Sequence, residues 1–282
     1  MVDTPVSNKL SAVSDLKISP LARRLTAQEK QQYERDGYVK NLPVFDSSAV
    51  PDLQFFYQYL ASLLPDGTDI SRINMWHKAN SWCYEIARTP AILDYVDDLI
   101  GGDFYQWGGQ FFVKHPHDGT RVPWHQDAQY WPLSPQKTVT VWLAFYDADE
   151  SNGAMQVVKG SHRHGEFEHH INNDPTLVLE QEVAEGEINP ADIVSLNLKA
   201  GEISLHDDAL LHGSPANASD RIRVGMTMRY CPTSVKCDLS VWPTFESYMA
   251  RGTDRLKHNP EGKVPVSLGF PVKKFQHSSE FV

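Results

Sequence analysis

At 282 residues, 41% of them apolar and 22% charged, the chain is long enough to bury a substantial core as one large domain or two small ones. Thirty-six acidic against twenty-six basic residues leave a net charge of −10, and no basic run stands out that could neutralise a phosphate backbone, which argues against nucleic acid as a partner. No apolar stretch approaches the ~20 residues of a membrane span, and the N-terminal segment, rich in Ser, Asp and Lys, lacks the apolar centre of a signal peptide. The expectation is a cytoplasmic protein without a membrane partner. Cys83, Cys231 and Cys237 have neither CxxC spacing nor the density of a disulfide scaffold, so reduced, buried thiols are expected.

Residues 1–20 show no periodicity and read as an arm, loose or docked on a partner subunit. Thr26-Ala27-Gln28-Glu29 offers a capping box for a first helix that should end near Gly37. Tyr38-Val39-Lys40 reads as a short strand, residues 47–64 as a second helix broken by Pro65-Asp66-Gly67, and residues 90–100 as a third closed by Gly101-Gly102. After residue 102 short alternating runs separated by turn residues predict a sandwich or barrel of antiparallel strands, with runs at 110–114, 138–146, 201–206 and 221–231. Trp107-Gly108-Gly109 and Asn152-Gly153 are expected to supply tight turns. The Pro-, Lys- and aromatic-rich segment from residue 240 should wrap the barrel.

In Trp124-His125-Gln126-Asp127 an imidazole and a carboxylate stand at i and i+2, which on an extended strand share one face. His212 follows another strand-like run, where antiparallel pairing can return it beside the first two. Two histidines and one carboxylate on one side of a metal leave three positions open, the arrangement of non-haem Fe(II) oxygenases. An isolated His-x-Asp is more often a hydrogen-bonded loop pair. The basic strand that follows His212, carrying Arg221, Arg223 and Arg229, adds a guanidinium that can hold a carboxylate through two parallel hydrogen bonds. The three arginines share a strand face by parity, so periodicity does not choose among them.

With these residues the chain resembles the phytanoyl-CoA dioxygenase family of Fe(II)- and 2-oxoglutarate-dependent oxygenases. The resemblance runs over about residues 26–235 and rests on Leu25-Thr26 to Asp36-Gly37-Tyr38, Trp124-His125-Gln126-Asp127, Trp142 to Asp147, Asn152-Gly153-Ala154-Met155, Gly160-Ser161-His162, and His212-Gly213-Ser214-Pro215-Ala216-Asn217 with Arg223. It implies a mainly β fold with flanking helices (α+β), a double-stranded β-helix of the jelly-roll, cupin-like kind. The chain then divides into an arm at 1–20 and a single dioxygenase domain at 21–282, with a helical part at 21–102, the β-helix core at 103–235 and a C-terminal wrap at 236–282. It implies Fe(II) at His125, Asp127 and His212, the distal carboxylate of 2-oxoglutarate at Arg223, and Trp142, Thr140 and Ser214 beside that co-substrate. His162 is read as structural. With O2, 2-oxoglutarate would be decarboxylated to succinate and CO2 as a substrate C–H bond is hydroxylated. Related halogenases replace the carboxylate by a small residue to admit chloride, so Asp127 favours hydroxylation.

For the substrate, Arg72, Asn74, Trp76, Lys78, Trp82, Tyr130 and Trp131 form a polar and aromatic set before and after the metal strand. Their rings suit a cationic nitrogen through cation–π contacts, and Arg72, Asn74 and Lys78 suit an anion. The expected substrate is therefore a small polar metabolite, zwitterionic and amino-acid-like or aminophosphonate-like, turned over by a monomer or homodimer. The alternative is a non-catalytic cupin-like protein that binds a metal or a small ligand, such as a zinc module with a closed shell; a simple metal module would not need Arg223.

Overall fold

In the computed structural model, which describes residues 12–172, 174, 176–179 and 181–271, the helices gather before residue 101. Helix α1, Ala27–Asp36, starts at the expected capping box: Thr26 Oγ1 accepts from the Glu29 amide at 3.2 Å and Glu29 returns a bond from the Thr26 amide at 2.8 Å. Helix α2, Val50–Ser62, is shorter than its predicted range because Asp46 caps a separate 3-10 turn, Ser47–Ala49, ahead of it. Helix α3, Ser81–Ile86, was not anticipated, although Asn80 caps it through the Cys83 amide. Helix α4, Pro90–Ile100, matches its prediction, with Pro in the first turn where no amide is lost.

The strands in chain order are β1 Tyr38–Pro43, β2 Phe104–Lys114, β3 Val122–His125, β4 Leu133–Ser134, β5 Val139–Ala144, β6 Gln156–Val158, β7 His169–Ile171, β8 Gln181–Val183, β9 Ile193–Ser195, β10 Glu202–Asp207, β11 His212–Ser214, β12 Arg223–Pro232, β13 Lys236–Cys237 and β14 Tyr248–Arg251. Among the described residues β1-β10-β5-β12-β2-β14 form one antiparallel sheet and β3-β11-β6-β9 a second. This is the jelly roll. Trp107-Gly108-Gly109 is not a turn; it lies inside β2, where Gly109 and Gly108 pair with Met228 and Arg229 of β12 before the register shifts past Trp107 to pair Gln106 with Tyr230. Gly153 does follow a 3-10 turn, Glu150–Asn152.

Side-chain alternation in the larger sheet separates two buried faces. Val224, Met226, Met228 and Tyr230 of β12, with Val139, Val141 and Leu143 of β5 and Ile203 and Leu205 of β10, pack against Leu53, Phe56 and Leu60 of α2 and Ile92 and Val96 of α4. Each such side chain removed from water contributes about 1.5–3 kcal/mol. Positions of opposite parity, Arg223, Thr227 and Arg229 of β12, Thr140 and Trp142 of β5, and His206 of β10, face the smaller sheet and border a cavity between the two. The helices thus brace one face while polar groups occupy the other.

Of the N-terminal arm, Val13 and Leu16 are buried in this same core and Ile18 bridges Phe45, so the described part of the arm docks on its own chain. Residues 1–11 and 272–282 of the arm and of the C-terminal wrap lie outside the described residues. The rest of the wrap adds β14 to the edge of the large sheet beside β2 and seats Trp242 and Phe245 against Trp107. The three cysteines are buried and free, as expected. No described helix is long and apolar enough to cross a membrane.

Candidate active site

His125 ends β3 and His212 begins β11, and the two strands pair with these residues opposite each other, bringing the ring centroids to 4.1 Å. Each imidazole donates its Nδ1–H to a backbone carbonyl two residues upstream, His125 to Pro123 and His212 to Leu210, both at 2.9 Å. A carbonyl can only accept, so both Nε2 lone pairs are left free for a cation. Asp127 does not sit on the strand as i,i+2 parity required. The strand stops at His125, and Asp127 opens a 3-10 turn, Asp127–Tyr130, that swings its carboxylate to 3.7 Å from His125 Nε2. One ligand atom from each of His125, Asp127 and His212 lies within 4.8 Å of the others, and all three residues are buried.

The electrostatics suit a divalent ion. Burial alone would raise the Asp127 carboxyl, but the His125 imidazole 3.7 Å away and the nearby His212 and Arg229 outweigh it and hold the group well below the usual carboxylate range. Burial, and then the neighbouring His125, push His212 well below the ordinary histidine value. Two nitrogen donors and one carboxylate oxygen on one side, with no fourth protein ligand in the group among the described residues, fit a metal with open positions better than a closed zinc shell.

The cavity beside this group measures about 550 Å³. Arg223 borders it at 2% exposure; its closest polar contacts are Ser214 Oγ and the Phe112 carbonyl, each at 3.5 Å, and no described carboxylate pairs with it. Burial lowers it from the ordinary guanidinium range to about 10, so it remains a cation. Trp142 lies 5.6 Å from the guanidinium and packs where a Cβ on Gly225 would fall 1.9 Å from its ring, so only glycine admits the indole there. Lys114, opposite Arg223 across the β2–β12 pair, donates to the carbonyls of Thr120, Ser214 and Pro215. Arg221 points away, bound to Asp149 at 2.6 Å on the surface. Thr140 borders the cavity but stands in register with Arg229 rather than Arg223.

Most of the anticipated substrate set lies elsewhere. Arg72 borders the cavity. Trp76 is fully buried edge-on to Phe111, Trp82 stacks on Phe56 at 3.6 Å, and Trp131 packs edge-on to Trp107 at 4.6 Å; these rings are packing and do not line the cavity. Lys78 is paired with Glu246 at 3.0 Å, and Asn74 accepts from the Met75 amide and bridges Gln110, so neither borders the cavity. Tyr130 is outside the cavity lining but sits 6.1 Å from the His125 ring with a buried hydroxyl that has no partner among the described residues and that burial raises to about 12. His162 contacts the Glu34 carbonyl at the end of α1, a structural position. His206, not singled out from sequence, borders the cavity with Nε2 4.0 Å from Asp127. Its signal was the alternation Ile203-Ser204-Leu205-His206, apolar toward the helices and polar toward the cavity.

The profile of the phytanoyl-CoA dioxygenase (PhyH) family matches residues 26–225. L-proline trans-4-hydroxylase of Streptomyces griseoviridis is 23% identical over 229 residues, 71% of this chain and 84% of that protein. Ectoine dioxygenase of Bordetella parapertussis is 24% identical over 236 residues, 74% of this chain and 76% of its own length. Among solved structures, the non-haem monooxygenase ThoJ in its apo form is similar with a TM-score of 0.70 and 28% identity, covering 85% of this chain and 89% of that one.

Proposed function

The chain belongs to the phytanoyl-CoA dioxygenase family of Fe(II)- and 2-oxoglutarate-dependent oxygenases, and on that premise we propose that it hydroxylates a C–H bond of a small, zwitterionic, amino-acid-like metabolite. The observation that carries the reading is the convergence of His125, Asp127 and His212 on a cavity that also holds the unpaired, buried Arg223. A metal-binding module without a co-substrate has no use for that guanidinium.

In this assignment His125, Asp127 and His212 hold the iron, and the carbonyls of Pro123 and Leu210 fix the tautomers that present Nε2. Arg223 grips the distal carboxylate of 2-oxoglutarate, with Ser214 and Trp142 beside it. When bound, iron with 2-oxoglutarate and O2 supplies the oxidation, releasing succinate and CO2 and placing one oxygen atom on the substrate carbon. Asp127 fills the place that a halide would need, which favours hydroxylation.

A small charged substrate agrees with the lining. Arg72 stands at the cavity without a described partner, Asp69 and Asp118 border the same space, and about 550 Å³ does not suit a long acyl chain. L-proline and ectoine, named for the relatives, are small and zwitterionic. The test is a screen of amino acids, cyclic amino acids and aminophosphonates for substrate-stimulated succinate formation by the Fe(II)-loaded protein, with product mass read in parallel. A screen in which only acyl thioesters stimulate turnover would overturn the substrate class. A protein that binds metal but never consumes 2-oxoglutarate would overturn the reaction.

A further inference from the structure

The cavity holds a second buried guanidinium that the co-substrate assignment leaves unused. Arg229 is six residues beyond Arg223 on the same face of β12, about 20 Å along the strand at ~3.3 Å per residue, and like Arg223 it is 2% exposed and borders the cavity. Its place is built into the fold. A Cβ on Gly108, opposite it in β2, would fall 2.9 Å from Arg229 Cδ, so the glycine inside that strand makes room for the side chain. The rings of Trp131 and Trp107 flank the guanidinium at 5.0 and 5.7 Å.

Arg229, Thr140 and His206 form one row across three adjacent strands, since Thr140 is in register with Arg229 on one side and with His206 on the other. All three are at most 2% exposed. Arg229 Nε, Thr140 Oγ1 and His206 Nδ1 are each buried without a hydrogen-bond partner among the described residues. Leaving such groups unsatisfied is costly, and a buried cation without an anion more so. No described carboxylate pairs with Arg229, and Asp127, the acid whose field it feels, is committed to the metal group.

We infer that Arg229, with Thr140 and His206 in its row, is a second anion subsite that receives the carboxylate, or an equally small oxyanion, of the primary substrate while Arg223 holds 2-oxoglutarate. The division of labour between the two arginines rests on the oxygenase reading; the existence of the subsite does not. An anion there would be held beside the metal group, which places its neighbouring carbons near the reacting centre. That order, anion inward and remainder outward, selects short carboxylates over amides and esters of the same shape.

The test uses the full chain with Ni(II) in place of Fe(II) and saturating 2-oxoglutarate, titrated calorimetrically with acetate and with its neutral counterpart acetamide. Wild type should bind acetate at least about tenfold more tightly than acetamide, as expected for losing a charge-assisted bond. Arg229→Gln should lose that preference while keeping its affinity for 2-oxoglutarate, and Arg229→Lys should retain most of it. Thr140→Val, which preserves shape, should weaken acetate by about threefold and covers the case in which the Arg229 variants do not fold. The inference is overturned if acetate does not bind the wild type or binds no better than acetamide. It is equally overturned if Arg229→Gln leaves acetate binding intact, or if that variant loses 2-oxoglutarate as severely as acetate. Succinate formation is scored separately: an Arg229-dependent acetate site in a protein that never consumes 2-oxoglutarate sinks the oxygenase reading alone.

Discussion

Replacing Arg223 by alanine isolates the electrostatic core of the proposed co-substrate site. Burial lowers Arg223 from the ordinary guanidinium range to about 10, which corresponds to about 3 kcal/mol of unfavourable desolvation. The side chain is fully enclosed, so solvent screening does not reduce the figure. A carboxylate gripped by the planar fork recovers that energy, and removing one side of a buried pair typically costs about 3–5 kcal/mol. At ~1.4 kcal/mol per decade, Arg223→Ala should weaken 2-oxoglutarate by about 10²-fold to a few thousandfold. Arg221→Ala serves as the control. Its side chain is half exposed and its bond to Asp149 is a surface pair worth about 0.2–1 kcal/mol, spent on stability rather than on the co-substrate. The assay is calorimetric titration of 2-oxoglutarate into the Ni(II)-loaded variants, followed by the co-substrate dependence of succinate formation. Equal losses at Arg221 and Arg223, or a loss below about threefold at Arg223, would refute the reasoning.

Three further outcomes are expected. His125→Ala, Asp127→Ala or His212→Ala should each abolish stoichiometric iron binding, read by metal analysis after gel filtration, while the protein remains folded, because these side chains face the cavity rather than the helix-braced core; two variants with wild-type iron content would refute the ligand set. His206 is lowered from 6.5 to about 4 by burial and then by Arg229, with the Asp127 field opposing, so the unfolded chain binds more protons between those values and this residue's contribution to stability falls as pH drops through that window. Asp208, raised to about 7 chiefly by burial, has the opposite slope from about 4 to 7, so the readout must be a difference: between pH 6.5 and 5 the metal-free wild type should lose about 2 kcal/mol more than His206→Gln in urea unfolding, and parallel curves would sink the assignment. Gly225→Ala should displace the Trp142 indole, costing about 1–3 kcal/mol of stability and weakening 2-oxoglutarate; an unchanged melting temperature with unchanged affinity would show that the indole is free to move.

Parts of this site were legible because the chemistry is concentrated in few residues, yet the geometry behind them was not. His125 and Asp127 were chosen by the parity of an extended strand, but the strand ends at His125 and a 3-10 turn delivers the carboxylate. A turn of that kind has no periodic signature, so alternation points to these two residues without giving the geometry that brings them together. Trp76, Trp82 and Trp131 went astray for a related reason. They lie in or beside short helical pieces, a 3-10 turn at Trp76–Lys78 and the six-residue α3 among them, too brief for a pattern to say which way a ring points. Helix α1, by contrast, declares both ends, through its capping box and the left-handed Gly37.

Strand β12 shows how far alternation can be pressed. Its residues from Arg223 to Tyr230 read basic, apolar, glycine, apolar, hydroxyl, apolar, basic, aromatic, and since both faces of the sheet are buried the polar half cannot be a solvated face. Parity therefore places Arg223 and Arg229 together inside the protein but is silent on what neutralises them. The composition sharpens that question. A chain with thirty-six acidic residues and a net charge of −10 has carboxylates to spare, and on its surface it pairs Arg221 with Asp149 and Arg24 with Asp97 and Asp98. At the two buried arginines it supplies no carboxylate partner among the described residues: Asp118, whose field reaches Arg223, accepts from the His115 and Thr120 amides, and Asp127, whose field reaches Arg229, belongs to the metal group. Internal neutralisation was available to this sequence and is absent where it would be most valuable, so the missing negative charge is the ligands' to bring.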